Sequence, residues 1–147
     1  MQVPVLKTCY RHTKMFIRSW LEYYGVAFHS SLTKQQESSL ERCQAVCLRI
    51  ILEESYISYS AALEMSGLKT LSSRRLDRCL QFSLKPIKHE QNKRMFPANP
   101  NLGNDIHIRN REQFQVNFAR TNSYRNSAIP FCQRLLNSHY REKGLIH

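Results

Sequence analysis

Along residues 33–52, TKQQESSLERCQAVCLRIIL, apolar side chains recur every three or four positions: Leu40, Cys43, Val46, Cys47, Ile50 and Ile51. That period is the signature of a helix with one buried stripe. Lys34, Glu37, Glu41, Arg42 and Arg49 fill the opposite face and belong in water. Thr33 can cap the start of this helix, with Gln36 three residues on to complete a capping box. The rest of the chain has to supply the surfaces that cover the stripe.

An earlier stripe, Leu6, Cys9, Tyr10, Thr13, Phe16, Ile17, Trp20, Leu21 and Tyr24, predicts a helix with Pro4 near its start and Gly25 as its stop. The two helices are expected to pack as a hairpin. Residues 26–32, VAFHSSL, connect them, with Phe28 plugging the joint and His29 a hydrogen-bonded turn residue rather than a general base. Ser58 is an N-cap for a short helix over 59–66, and Gly67 has the placement of a C′ residue. A fourth helix begins near Leu71, with Leu76, Cys79, Leu80, Leu84 and Ile87 on one side and Arg74, Arg75, Arg78, Lys85 and Lys88 crowding the rest. Pro86 should kink or end it near Leu84.

Residues 95–105, MFPANPNLGND, combine two prolines, a glycine and three asparagines, the composition of a loop and a candidate hinge. Beyond it, 106–109 and 114–118 alternate apolar and polar residues as short strands do, which predicts a small β-hairpin or an extended arm near 106–118. Residues 127–130 open a short C-terminal helix with Phe131, Leu135 and Leu136 on one face, and the tail after Ser138 should fray. The expected fold is therefore mainly α: a small bundle of about four helices plus the C-terminal one. Its expected organisation is a helical domain over 1–95, a linker over 96–105 and a basic arm over 106–147.

Charge adds an asymmetry to this picture. Of the formal net charge of +11, residues 1–68 hold seven Lys/Arg against six Asp/Glu, whereas residues 69–147 hold fifteen against five. An excess so unevenly placed points to a polyanionic partner, nucleic acid before membrane, over a merely solvated basic face. No window approaches the apolar length of a membrane span, and the first residues lack the apolar run of a secretory signal, so the expected location is intracellular, with nucleus and cytoplasm undecided. Five cysteines, Cys9, Cys43, Cys47, Cys79 and Cys132, make an odd set without framework spacing and read as reduced thiols. Cys9 and His12 with Cys43 and Cys47 could be drawn as zinc ligands, but they fall on apolar stripes, where cysteine is a small hydrophobe.

Catalytic signatures are missing from the sequence. It contains no phosphate-cradling glycine loop, nucleophile elbow or H-E-x-x-H, and its only aspartates, Asp77 and Asp105, are too far apart in sequence and too unlike in surroundings to suggest a two-metal site. No enzyme and no cofactor are expected.

Residues 16–33 (FIRSWLEYYGVAFHSSLT), 40–51 (LERCQAVCLRII), 59–82 (YSAALEMSGLKTLSSRRLDRCLQF), Phe96-Pro97 and 119–137 (ARTNSYRNSAIPFCQRLLN) resemble, in co-linear order, the region that ends the reverse transcriptases of jockey-like non-LTR retrotransposons. In that family the stretch follows the palm and spans the thumb and the segment after it. The chain departs from the family at Ser19, usually proline, at Phe28, usually tryptophan, and at Pro86, where family members tend to continue a helix. It also contains no adjacent aspartate pair such as the family's palm uses to bind metal. The resemblance thus implies a truncated, non-catalytic, thumb-like piece.

A thumb holds a template–product duplex by its backbone, which needs cations facing phosphates and no base-reading groups. Arg74, Arg75, Arg78, Arg109, Arg111, Arg120 and Arg125 are the residues assigned to that role, on RNA or DNA with little sequence preference. Tyr124 either stacks on an unpaired base or packs the arm onto the helices. Two other readings stay open: a helical interaction module that self-associates through apolar faces left uncovered by the absent palm, and a decayed retroelement product with no selected activity.

Overall fold

Local signals fix the beginnings of the helices. The computed structural model describes residues 11, 15, 18–87, 90–100 and 112–143, and among these the chain is mainly helical, without a strand. The elements are α1 (Arg18–Glu22), α2 (Gly25–Phe28), α3 (Lys34–Leu52), α4 (Tyr59–Ser66), α5 (Leu71–Ile87), α6 (Asn122–Arg125) and α7 (Ala128–Glu142), with 3₁₀ turns at His29–Ser31, Glu53–Ser55 and Glu90–Met95. They form two units: Met1–Gly25 with Leu32–Leu76, and Val26–Ser31 with Asp77–His147.

In the first unit, Thr33 caps α3 as the spacing predicts. Its hydroxyl accepts from the Gln36 N–H while the Gln36 side chain accepts from the Thr33 N–H at 2.9 Å, a complete capping box. Ser58 caps α4 through the Ala61 N–H. Gly67, at φ 61°, closes α4 in a Schellman arrangement, with Leu68 N–H donating to Leu63 O and Gly67 N–H to Glu64 O. The same turn drops Leu68 into a core with Leu48 and Ala62, flanked by Leu52, Tyr56, Tyr59 and Leu63.

The buried face of α3 is rotated from the one its apolar residues suggest. Gln44, Leu48 and Ile51 are buried, whereas Cys43, Val46 and Ile50 are exposed, Ile50 by 68%. A polar network accounts for the shift. Gln44 donates from Nε2 to Tyr59 Oη at 3.0 Å and to Lys69 O at 3.3 Å; Glu41 accepts from the Tyr59 hydroxyl and, at 2.8 Å, from the Ser72 N–H. Glu41 thereby places a carboxylate on the first turn of α5, where free N–H groups and the helix dipole favour an anion.

Two expectations for the earlier segment are corrected. Trp20 and Tyr24, counted with the buried stripe, are 86% and 71% exposed. Gly25 does not stop a helix but begins α2; the left-handed residue is Tyr24, at φ 55°. Gly25 is buried because a Cβ there would lie 3.3 Å from Arg75 Cγ, so the small residue serves close approach rather than a turn. The other expected members of that stripe, Leu6 to Ile17, and most of the anticipated hairpin contact lie outside the described residues.

In the second unit, Cys79, Phe96, Phe114, Cys132 and Leu136 form the core, with Val26, Phe82, Leu84, Ile87, Phe131, Leu135 and Tyr140 packed on it. α5 runs through Pro86 to Ile87, past the expected end near Leu84. In the last turn a proline sacrifices only one ladder bond, which a helix end tolerates. α7 reaches Glu142, well beyond the expected fraying point at Ser138, and it organises this unit with two buried amides one turn apart. Asn137 pairs with the backbone of Phe114 in both directions, accepting from its N–H and donating to its O at 2.9 Å each. Gln133 accepts from the Asn117 N–H at 2.8 Å and donates to Met95 O at 3.0 Å.

These amides explain why no sheet is needed to hold the extended segment. Of the region expected to form a hairpin or arm near 106–118, residues 106–111 lie outside the described ones. Phe114 makes an isolated antiparallel bridge to Ala98, with Asn99 N–H donating to Gln113 O and Gln115 N–H to Pro97 O. Phe96 is buried and Ala98 bridged, so these residues of the expected 96–105 linker are part of the second unit's fold. The boundary between units falls instead within α5, after Leu76.

Candidate nucleic-acid interface

The arginines predicted to face phosphates meet different fates. Arg74 is clamped on the buried carboxylate of Glu22, Nε to Oε1 at 2.6 Å and Nη2 to Oε2 at 2.8 Å. Arg75 is fully buried, with Nη2 3.6 Å from Glu37 Oε1 and no hydrogen-bond partner on its guanidinium. This corrects the assignment of Arg75: a guanidinium without exposed surface presents no charge to a phosphate. Arg75 is part of the first unit's interior, and the half-buried Arg74 neutralises a carboxylate that is. The reason is positional, because the start of α5 is packed where Glu22 and Glu37 converge on it.

Arg78, Arg120 and Arg125 are exposed and belong to the second unit. Arg109 and Arg111 lie outside the described residues. That unit carries twelve Lys/Arg against five Asp/Glu, so the charge excess seen in sequence remains with it after the chain folds.

Arg120, Tyr124 and Arg125 come together around α6. Thr121 caps this one-turn helix by accepting from the Tyr124 N–H at 3.2 Å, and the Ser127 hydroxyl donates to Tyr124 O at 2.7 Å. The next carbonyls are also taken: Arg134 Nη2 donates to Arg125 O at 2.7 Å, and the Ser30 hydroxyl donates to Asn126 O. The turn is thus held on all sides through its backbone. Arg134, a residue sequence reasoning passed over, works as a backbone clamp, and desolvation followed by the nearby Arg125 charge lowers its pKa. Among the described residues neither Arg120 nor Arg125 makes an ion pair, and Tyr124 is 45% exposed.

Extended residues 114–118 depart from simple alternation. Phe114 is buried with its ring edge-on to Tyr140 at 5.4 Å, and Val116 is half-buried. Phe118, which should follow them inward, is 86% exposed. The last anchor of the segment is the Asn117 N–H on Gln133, after which the chain leaves for the Thr121 cap. Only Gln133 and Asn137, two polar residues inside an otherwise apolar helical pattern, hinted at this in the sequence.

Among the described residues no group of three or more His, Cys, Asp or Glu is placed to hold a metal, and no helix is long and apolar enough to cross a membrane. Cys132 has its pKa lowered to about 7 by the Cys79 thiol, against desolvation and with help from Ser83, but it is fully enclosed and presents no nucleophile to a substrate. His29 packs edge-on to Phe131 at 5.5 Å, a contact that suits a structural residue. Searches against protein-family models, curated proteins and solved structures find no match to this chain.

Proposed function

We propose that this chain is a non-catalytic, thumb-like nucleic-acid-binding fragment that holds RNA or DNA by its phosphate backbone, as its resemblance to the end of a retrotransposon reverse transcriptase implies. The observation that carries the reading is the pair of exposed arginines, Arg120 and Arg125, which make no ion pair among the described residues and flank exposed Tyr124 in the chain on a backbone-clamped turn. Exposed cations that no described carboxylate pairs with, on a turn held by its backbone, suit phosphate contact without base readout.

The test is binding to a duplex of RNA or DNA across a salt series. Changing Arg120 and Arg125 together to Gln should flatten the log-affinity against log-salt slope by about two units, one for each phosphate that is no longer neutralised. An unchanged slope, or no binding by the parent protein at low salt, removes the proposal.

A second reading, self-association through an apolar helix face, is favoured by one observation: Cys43, Val46 and Ile50 form an exposed ridge along α3. Sedimentation would then give a mass that rises with concentration and returns to the monomer value on Val46→Glu. A parent protein that stays monomeric throughout excludes it.

A further inference from the structure

Phe118 and Tyr124 are exposed aromatic rings six residues apart in a chain that buries Phe96 and Phe114 in the same unit. An isolated exposed ring needs no explanation. These two have a setting that gives them one. The Asn117 side-chain amide lies 3.5 Å from Tyr124 Oη, so the residue next to Phe118 and the ring of Tyr124 are neighbours in space. Both rings leave points where the backbone is fixed: Phe118 follows the Asn117 N–H anchored on Gln133, and Tyr124 has its N–H on Thr121 and its O on Ser127. Arg120 lies between them in the chain and Arg125 follows directly.

Exposed aromatic faces interleaved with exposed cations are the parts that grip an unpaired strand. Bases stack on the rings whatever their identity, and the cations follow the phosphates. A blunt duplex uses only the cations, because its bases are already stacked. The other exposed aromatics among the described residues do not offer this combination: Trp20, Tyr23 and Tyr24 bracket Glu22, whose carboxylate already takes Arg74.

We infer that Phe118 and Tyr124, with Arg120 and Arg125, form a stacking site for unpaired bases, so that the ligand of the second unit is a single strand or a single-stranded overhang in preference to a blunt duplex. This inference rests on the nucleic-acid reading above and narrows it. The hydrogen-bonded backbone at Asn117 and at Tyr124 limits the ordering cost of binding.

The test is fluorescence anisotropy at low salt with the full chain and two probes of equal length, a labelled pyrimidine single strand and a blunt duplex. The parent should bind the single strand more tightly. Phe118→Ala with Tyr124→Ala should lower single-strand affinity by about tenfold or more while changing duplex affinity by less than about twofold. Tyr124→Phe, which keeps the stacking face, should retain single-strand binding. Circular dichroism of all variants should match the parent, since both rings are exposed. Equal binding of the two probes, or an equal loss on both when the rings are removed, overturns the stacking site and leaves the phosphate-binding reading standing. Failure of the parent to bind either probe overturns both.

Discussion

The two units treat their arginines in opposite ways. In the first, Glu22 and Glu37 draw Arg74 and Arg75 inward, and the guanidiniums become part of the packing. In the second, the core cluster is apolar and polar anchoring comes from the neutral amides of Gln133 and Asn137. Arg120 and Arg125 stay outside. What an arginine does in this chain depends on the partners the fold brings to it: carboxylates for Arg74 and Arg75, a backbone carbonyl for Arg134. Net charge in a segment measures how many cations exist, not how many remain available to a ligand.

The sharpest way to break this comparison is to remove an inward cation. Arg74→Ala strands the buried Glu22 carboxylate, and with Arg74 itself half-buried the loss should be about 2 kcal/mol, below that of a fully buried pair. Adding Glu22→Gln should recover most of that loss, because a neutral amide tolerates the site better than an unpaired charge. Urea unfolding of the single and double variants checks both. An Arg74→Ala protein as stable as the parent would mean that Arg74 is a surface cation after all.

An effect of similar size tests the second unit's neutral anchoring. Asn137→Ala leaves the N–H and O of Phe114 without their partners in a buried setting and should cost about 2 kcal/mol. Hydrogen exchange at the Phe114 amide should accelerate along with it. If stability falls but that amide stays protected, the helix–backbone pairing is not what holds the segment.

The smallest effect sharpens the contrast from the outside. The Arg120→Gln and Arg125→Gln pair that weakens nucleic-acid binding should shift unfolding free energy by less than about 0.5 kcal/mol, as exposed substitutions without partners do. A large loss of stability would place these arginines in the same class as Arg74. Salt dependence and stability together thus separate cations that serve the fold from cations that serve a ligand.

The sequence by itself determined the local boundaries. Thr33 with Gln36, Ser58 and Gly67 act through hydrogen bonds or dihedral preferences spanning a few residues, so their roles could be read from spacing, and each does in the structure what that spacing implies. The helical character of the chain follows from the same short-range periodicity. Long-range partners decided the rest. Three apolar residues of α3 stay exposed while Gln44 is buried, because Tyr59 and Lys69, fifteen and twenty-five positions away, accept from its amide nitrogen. Arg74 turns inward because Glu22 waits fifty-two positions back, and the 114–117 segment is held without a sheet because Gln133 and Asn137 reach it from α7. A pattern counts polarity residue by residue, whereas burial of a polar group depends on whether a distant partner can complete its hydrogen bonds, and only the tertiary fold brings that partner within reach.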